Sequence, residues 1–290
     1  GVPVVQPGRW GEALARVDLV FERAGGRARL VETKGELLLS DSSVAADPEI
    51  AAIAKAAAER ALAYLNEPIA TAVAPFPAER ARLEDTALLD LVNETQRAAT
   101  GAELSMTSLL PFRYDGWTQG PVTVRNVYAL YPYENQLVVV EVDGARLKAI
   151  LEHAATFYGA AEWKDGRLVV TPKAGMTPYN FDVVQGASYR IDPTAPVGAR
   201  VKGLRFRGRE VRDEDRFTLA VNSYRAQGSG GYDALKGTKV LRTYNDEIRE
   251  LLVERIRAAG TLVPQTDGNW VLAPEAAWAP APASPAAAPR

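Results

Sequence analysis

The 290-residue sequence contains no cysteine and only one histidine, His153. The absence of cysteine excludes disulfide bonds and thiolate chemistry, and it fits either a reducing or an oxidising compartment. Hydrolytic metal centres usually draw on several histidines, and Ser-His-Asp and Cys-His sites need one beside the nucleophile. We therefore expect neither catalytic residues nor metal ligands in this chain. Because His153 falls on a helical pattern with Leu147, Ile150 and Leu151, we interpret it as a structural or surface histidine.

The sequence also lacks an excess of positive charge and any long apolar segment. Its formal net charge is −2 and 47% of its side chains are hydrophobic, which is typical of a globular chain and gives no reason to expect a nucleic-acid polymer as partner. No apolar run approaches about 20 residues, so no membrane span is predicted. The first residues, GVPVVQPGRW, lack the charged start and continuous apolar stretch of a signal peptide. We interpret them as a strand entered partway through a longer chain.

The most informative stretch that is present is NSYRAQGSGGY, from Asn222 to Tyr232. It directly follows RFTLAVN, whose alternating apolar residues predict a strand with one buried face. Gly228 and Gly230 permit positive φ and a close approach of the backbone to a ligand, while Tyr224 supplies a flat ring beside the loop. Two interpretations stay open: a loop that binds a planar ring, and a strand-to-loop turn with a core tyrosine.

Two further runs carry candidate binding residues. In LYPYENQ, Tyr133 and Asn135 could stack on a nucleobase and bond its edge, or Tyr131 and Tyr133 could simply pack against the next strand. The run SLLPFRYDGW begins at Ser108, which we include among the candidate substrate-binding residues, and it places Arg113 on a loop after a strand. That arginine could hold a phosphate or ribose, or it could be a solvated cation.

The order of the predicted elements indicates an α+β chain. Asp47 and Pro48 predict the start of a helix that continues to about Leu65. Asp85 is predicted to cap a second helix, which Gly101 ends. Strands and helices then alternate irregularly, and NDEIRELLVERIRAAG predicts a last helix. The Pro/Ala-rich residues 273–290 show no core-forming pattern and predict an extended or disordered tail.

Several of these runs resemble one known family. EDTALLDLVNETQRAATGAELS, GPVTVRNVYALYPYENQLVVVEVDG, YNFDVVQG and NSYRAQGSGGYDALKG are similar, in this order, to the C-terminal domain of 5'-nucleotidases. The similarity is closest to the branch of 2',3'-cyclic-nucleotide 2'-phosphodiesterase/3'-nucleotidases. In that family an N-terminal metallophosphoesterase domain binds two divalent metal ions, and the C-terminal domain binds the nucleoside. The first stretch, GVPVVQPGRWGEALARVDLVFE, resembles the end of the N-terminal domain.

The resemblance implies a role for individual residues. Tyr133 and Tyr224 stand where the family places two aromatics that sandwich the base, and two tyrosines are what the cyclic phosphodiesterase branch shows. Asn135 stands at the amide that reads the base edge, and Arg113 stands near an arginine that contacts ribose or phosphate. Gly230 occupies the place at which the 5'-nucleotidase branch carries an aspartate for the ribose hydroxyls, so ribose recognition is expected to come from elsewhere.

The resulting prediction is a 5'-nucleotidase C-terminal-domain-like mixed sheet with helices, preceded by a remnant of a metallophosphoesterase β-sandwich and a linker helix. The expected segments are 1–32 for the remnant, 33–66 for the connection, 67–272 for the nucleotide-binding domain and 273–290 for the tail. The expected partners are nucleosides or nucleotides and the metallophosphoesterase domain, with both metal ions held by that domain. The resemblance implies a periplasmic, secreted or cell-wall location. Two other interpretations are a stand-alone nucleotide-binding module and a structural extracellular domain without catalysis.

Overall fold

The computed structural model describes residues 4–8 and 11–278, and the chain divides into two compact units, Gly1–Leu62 and Ala63–Arg290. The helices are α1 (Pro48–Leu65), α2 (Ala87–Thr100), α3 (Val124–Leu130), α4 (Gly144–Ala155), α5 (Ser223–Ala226) and α6 (Ile248–Ala259). The strands are β1 (Ala13–Ala24), β2 (Arg27–Leu39), β3 (Pro68–Ala72), β4 (Phe76–Pro77), β5 (Leu104–Ser108), β6 (Gly116–Trp117), β7 (Gly120–Thr123), β8 (Gln136–Asp143), β9 (Tyr158–Lys164), β10 (Arg167–Pro172), β11 (Asp182–Gln185), β12 (Ala187–Ile191), β13 (Val201–Phe206), β14 (Arg209–Glu210), β15 (Arg216–Asn222), β16 (Lys239–Glu247), β17 (Thr261–Leu262), β18 (Trp270–Leu272) and β19 (Ala276–Trp278). None of the helices in these ranges is both long and apolar enough to cross a membrane.

The first unit contains a long antiparallel hairpin and most of a helix. Strands β1 and β2 pair from Ala13 opposite Leu39 to Ala24 opposite Arg27. The turn between them is Gly25-Gly26, and both glycines have positive φ, as a tight hairpin turn requires. Helix α1 begins as predicted, because the Asp47 side chain accepts hydrogen bonds from the backbone N–H groups of the first helical turn. No residue of α1 is buried, and no described residue of the hairpin is fully buried.

A five-stranded mixed sheet organises the second unit, with the order β11-β5-β15-β8-β16. Strand β5 is parallel to β15 and antiparallel to β11, whereas β8 is antiparallel to both β15 and β16. Every residue of β5 is buried, as expected for a central strand covered on both faces. Helix α2 contacts β5, β11 and α6, while α4 contacts β8, β11 and β13.

Smaller sheets surround the central one: β14-β13-β12-β18, β19-β10-β9, β17-β3-β7 and the pair β4-β6. A buried carboxylate connects two of the layers. Glu152 on α4 accepts hydrogen bonds from the backbone N–H groups of Arg200, at 3.1 Å, and Val201, at 2.8 Å. The Arg200 guanidinium in turn donates to the carbonyls of Ala155 and Tyr158. The end of α4 is therefore held to the start of β13 by charge-assisted hydrogen bonds.

The predicted α+β organisation agrees with this architecture, but three local predictions differ from the structure. The residue at the N-cap of α2 is Thr86 rather than Asp85, whose carboxylate instead accepts from the backbone of Gly268. The last helix begins at Ile248 rather than Asn245, because the preceding residues extend β16 along β8. Within the predicted tail, Ala276–Trp278 form a strand that pairs with β10, and residues 279–290 lie outside the described ranges.

We expect Glu152→Ala to lower the free energy of unfolding by about 2–4 kcal/mol, because two buried N–H groups lose a charged acceptor. Urea denaturation measures this loss. Glu254→Ala is the matched control, since Glu254 lies exposed on helix α6, and its change is expected to stay within about 0.5 kcal/mol. Equal effects of the two substitutions would contradict the assigned role of Glu152.

Candidate functional site

Four strand ends meet at one edge of the central sheet. Asp182 at the start of β11 lies opposite Ser108 at the end of β5, and Asn222 at the end of β15 lies opposite Leu137 near the start of β8. Because β5 and β15 are parallel, their carboxyl ends point to the same edge. The loops that enter or leave these strands therefore come together, although they are far apart in the sequence.

The loops at this edge enclose a pocket of about 160 Å³. Three chain segments provide most of its lining: the loop between α3 and β8, the turn before β11, and the junction of β15 with α5. The lining residues are Leu110, Tyr133, Asn135, Tyr179, Asn222, Tyr224 and Arg225. Three of the residues predicted from the sequence as site residues therefore lie together at one pocket: Tyr133, Asn135 and Tyr224.

Aromatic side chains form much of the pocket wall. Tyr133 and Tyr224 are 42% and 43% exposed, so neither is a core residue. The Tyr133 ring meets the Tyr179 ring edge to face, with centroids 6.4 Å apart, and Phe112 contacts Tyr179 from another side at 6.0 Å. Rings with open faces in a concave, mostly apolar site can stack on a planar ligand.

One lining residue, Arg225, belongs to a buried ion pair. Arg225 and Asp182 have side chains only 2% and 1% exposed, and Nη2 of the arginine lies 2.9 Å from Oδ2 of the aspartate. The same guanidinium donates to the carbonyl oxygens of Tyr179 and Ser229, and its centre lies 4.6 Å from the centroid of the Tyr232 ring. Burial alone would lower the pKa of Arg225, but the attraction of Asp182 outweighs it and raises that pKa. The guanidinium of Arg225 therefore keeps its charge inside the protein.

Amide and phenol groups lie on the polar side of the pocket. Asn222 caps helix α5, because its Oδ1 accepts from the backbone N–H of Arg225 at 2.7 Å. The backbone carbonyl of Asn135 accepts a hydrogen bond from the backbone N–H of Ile248 at 3.0 Å, and this bond holds the residue in place. Burial raises the pKa of Tyr131, and the neighbouring Asn135 and Asn222 side chains oppose that rise. Tyr131 is fully buried beside the pocket amides, which agrees with the interpretation that it packs in the core. The exposed Tyr133 does not agree with that interpretation.

The two glycines predicted to contact a ligand shape the loop after α5, and their role in binding stays a prediction. Gly228 and Gly230 both have positive φ, and neither lines the pocket. A Cβ on Gly230 would lie 2.2 Å from Nη1 of Arg225, so the arginine occupies the space that a side chain would need. His153 contributes to the same loop, because its Nε2 lies 2.9 Å from the Gly230 carbonyl oxygen. This contact agrees with the expected structural role of the histidine.

Two other predicted residues lie near the pocket without lining it. Ser108 is buried, and its hydroxyl donates to the Tyr179 carbonyl at 2.8 Å, which fixes the segment that carries this pocket tyrosine. Arg113 is exposed on the loop that carries Phe112, next to the pocket wall. The roles of both residues in binding stay predictions.

Three of the lining residues, Tyr179, Asn222 and Arg225, were not predicted from the sequence as site residues. Asn222 and Arg225 flank Tyr224 in the run that first suggested a site, so the strand-to-helix junction itself was the available signal. Tyr179 begins the run YNFDVVQG, but nothing in its local pattern separates it from a core tyrosine. Its position depends on the pairing of β11 with β5.

Known proteins are similar to this chain over most of its length. The family described as 5'-nucleotidase, C-terminal domain, matches residues 63–237. The trifunctional nucleotide phosphoesterase protein YfkN of Bacillus subtilis (strain 168) is 26% identical over an alignment of 305 positions, gaps included, that covers 94% of this chain and 21% of that protein. A 2',3'-cyclic-nucleotide 2'-phosphodiesterase/3'-nucleotidase of Salmonella typhimurium is 29% identical over an alignment of 321 positions that covers 94% of this chain and 49% of that protein.

A solved structure named as a 5'-nucleotidase from Staphylococcus aureus, in complex with alpha-ketoglutarate, superposes with a TM-score of 0.75 at 25% identity. The superposition covers 92% of this chain and 52% of that one. The chain thus spans between about a fifth and a half of the length of these proteins.

We expect Gly230→Ala to destabilise the chain more than Gly237→Ala. Both glycines have positive φ, so both substitutions cost about 1–2 kcal/mol of backbone strain. A Cβ at Gly237 meets no atom within 4 Å, whereas at Gly230 it collides with Arg225, which adds about 1–3 kcal/mol. Urea denaturation of the two variants measures the difference. Equal losses would show that the loop moves away from Arg225 without cost.

Proposed function

The chain belongs to the family of 5'-nucleotidase C-terminal domains, as its sequence motifs predicted, and on this premise we propose that it is the substrate-binding part of a nucleotide phosphohydrolase. The substrates we propose are nucleotides of the kind cleaved by 2',3'-cyclic-nucleotide 2'-phosphodiesterases and 3'- or 5'-nucleotidases. The observation that carries the proposal is the meeting of Tyr133, Asn135 and Tyr224 around one pocket. Relatives with nucleotide phosphoesterase names support the substrate class.

In the proposed complex the nucleobase enters the pocket between the two half-exposed tyrosines. Their rings stack on its faces, and stacking tolerates any base because every base has a π-face. The Asn135 amide both donates and accepts, so it can bond the edge of the base. Leu110 and Tyr179 exclude water from the remaining apolar wall. Discrimination among bases then depends on the amide, and affinity depends mainly on the rings.

Recognition of the ribose is proposed to differ from that in the 5'-nucleotidase branch. The resemblance places an aspartate of that branch at the position of Gly230. An aspartate cannot be accommodated there without displacing the Arg225 guanidinium, which the Asp182 pair and two carbonyls hold in place. We propose that the ribose or phosphate instead approaches the loop of Arg113, an exposed cation next to Phe112, which contacts the pocket residue Tyr179.

The metals for hydrolysis are proposed to belong to a metallophosphoesterase domain outside this sequence. A two-metal site supplies a metal-bound nucleophile and stabilises the charge of the phosphoryl group. Among the described residues, only Asp85, Asp90 and Asp267 bring three ligand-type side chains within reach of one ion. That group contains no histidine and does not line the pocket, so it does not fit a two-metal catalytic centre. In this proposal the residues of this chain bind and orient the nucleotide.

The first unit is proposed to pack against that metallophosphoesterase domain. Its described strands leave large apolar side chains in solvent, among them Leu14, Phe21 and Leu37, which are 64%, 54% and 52% exposed. The cross-strand partners Leu14 and Leu38 are both exposed, and contiguous exposed apolar surface is characteristic of an interface. We also propose a periplasmic, secreted or cell-wall location for the whole enzyme, on the resemblance alone.

We expect Tyr133→Ala and Tyr224→Ala each to weaken adenosine binding by about five- to 150-fold, because each removes a stacking contact worth about 1–3 kcal/mol. The parent affinity is expected to be weak, about millimolar to high micromolar, since stacking must offset the entropy of association. Isothermal titration calorimetry measures both quantities. Tyr224→Phe is expected to keep most of the affinity.

Tyr244→Ala is the control for these variants, because this half-buried tyrosine on β16 does not line the pocket. Thermal unfolding of every variant separates a binding defect from a folding defect. If Tyr133→Ala and Tyr224→Ala melt much earlier than the parent but bind adenosine normally in the folded fraction, the stacking role is wrong.

We further expect the purified chain to release no phosphate from 3'-AMP, 5'-AMP or 2',3'-cyclic AMP when manganese, zinc or cobalt is supplied. A phosphate-release assay tests this, with the full-length Salmonella relative as the positive control. Metal-dependent turnover that disappears in Tyr224→Ala would overturn the division of roles between binding and catalysis.

A further inference from the structure

The hydroxyl group of Tyr131 is a buried polar group beside the pocket. The Tyr131 side chain is 1% exposed, and its hydroxyl oxygen makes no hydrogen bond of normal geometry. The side chains of Asn135 and Asn222 act on its pKa as hydrogen-bond partners, and both of them line the pocket. Asp182 and Arg225 act on that pKa through their charge alone. Because buried polar groups in native proteins have partners, we look to the two amides for those of Tyr131.

The orientation of the Asn222 amide is fixed by helix α5. Its Oδ1 accepts from the backbone N–H of Arg225 at 2.7 Å. A half-turn of the amide would bring two N–H donors together at this cap, so the cap excludes it. The other end of the amide, Nδ2, can only donate. Asn222 lowers the pKa of Tyr131, which is the direction expected of a group that donates to the phenol oxygen.

A phenol that accepts from Asn222 still has its own O–H to donate. The oxygen of Asn222 is already engaged at the cap, so Asn135 is the partner that can supply an acceptor. The two ends of an amide have the same shape, and the surrounding hydrogen bonds decide which end points where. Among the described residues, no hydrogen bond of normal geometry fixes the half-buried Asn135 amide, so its Oδ1 is free to turn toward the Tyr131 hydroxyl.

We propose that Tyr131 and Asn222 orient the Asn135 amide so that its Nδ2 donates to the bound base. Asn222 donates to the Tyr131 hydroxyl, which donates to Asn135 Oδ1, and the N–H groups of Asn135 remain for the ligand. The pocket then selects bases that present an acceptor at this point. The inference rests on the proposed nucleoside site and adds the property by which that site distinguishes bases. Tyr131 does not line the pocket, so it is a positioning residue.

Selection follows from what a base of the opposite kind would cost. A base that presents an N–H to Asn135 either leaves two donors in contact or forces the amide to turn. Turning the amide takes its oxygen away from the Tyr131 hydroxyl, which is left unpaired in the interior, and an unpaired buried group is a strong source of discrimination. One neutral hydrogen bond corresponds to a difference in Kd of about 3- to 10-fold. The stacking rings make no such distinction, because every base has a π-face.

Adenosine and inosine are the pair of nucleosides that tests this selection. Adenosine carries an acceptor at ring position 1 and a donor at position 6, and inosine carries the reverse. Whichever of these positions contacts Asn135, only one of the two nucleosides offers it an acceptor. Titrations followed by NMR measure both Kd values at pH 8. We expect the parent chain to prefer one nucleoside by about 3- to 10-fold.

Two substitutions separate the direction of the Asn135 hydrogen bond from the residue that sets it. Asn135→Asp keeps the shape but offers only acceptors, so we expect the preference to invert. An Asn135 that accepted from the base would instead keep its preference as aspartate. Tyr131→Phe keeps the buried ring and removes the hydroxyl, so the amide can turn at little cost. We expect the ratio of the two Kd values to fall toward one, chiefly because the disfavoured nucleoside binds more tightly.

Tyr189→Phe is the matched control. It removes another buried hydroxyl, which accepts from the backbone N–H of Val184 and lies away from the pocket, so the ratio is expected to stay at the parent value. Thermal unfolding of each variant shows that it is folded. A general defect of the fold would weaken the binding of both nucleosides together, and it would not tighten the binding of one.

Three results would overturn the inference and leave the nucleoside site standing. They are equal affinity of the parent for adenosine and inosine, an unchanged preference in Asn135→Asp, and an unchanged ratio in Tyr131→Phe. A parent chain that binds neither nucleoside would contradict the proposed function itself, and the inference would fall with it.

Discussion

The buried pair of Arg225 and Asp182 holds together the elements on which the pocket depends. It joins α5 to β11 across the end of β5, and the same guanidinium binds the carbonyls of Tyr179 and Ser229. A pair this dry contributes little net stability compared with an apolar pair, but removal of one partner leaves an uncompensated charge that costs about 3–5 kcal/mol. Its value here is geometric, since it fixes the turn that presents Tyr179 and the loop that contains Gly230.

The pocket residues could be predicted from sequence where the signal was local. Tyr133 and Asn135 follow the end of a helix, and Tyr224 follows the end of a strand. The residue types and the predicted ends of these elements were therefore enough to identify them as candidate site residues. Tyr179 could not be found in this way, because only the pairing of β11 with β5 brings it to the pocket. The resemblance to a family supplied the expected arrangement as a whole, but it did not reveal that Arg225 blocks a side chain at position 230.

The same distinction applies to the fold: features set by neighbouring residues were predicted, and features set by residues distant in the sequence were not. Asp47 caps α1 and Gly101 ends α2 in the structure, because both signals act within a few residues. Asp85 was assigned to the same kind of cap, but Gly268, distant in the sequence, competes for its carboxylate. The convergence of Asp85, Asp90 and Asp267 likewise depends on tertiary structure, because Asp267 is distant from the other two in the sequence.

The antiparallel pairing of β8 with β15 has a consequence for the order in which the protein acquires its binding site. Tyr133 precedes one strand and Tyr224 follows the other, so the pocket rests on a non-local contact that closes a long loop of intervening chain. Contacts of this kind form slowly, because the entropy of loop closure is lost before they are made. A chain emerging from the ribosome therefore has no complete pocket until β15 and α5 have been synthesised and docked. A nucleoside bound as proposed would favour the finished domain, but it would give no assistance to the earlier steps of folding.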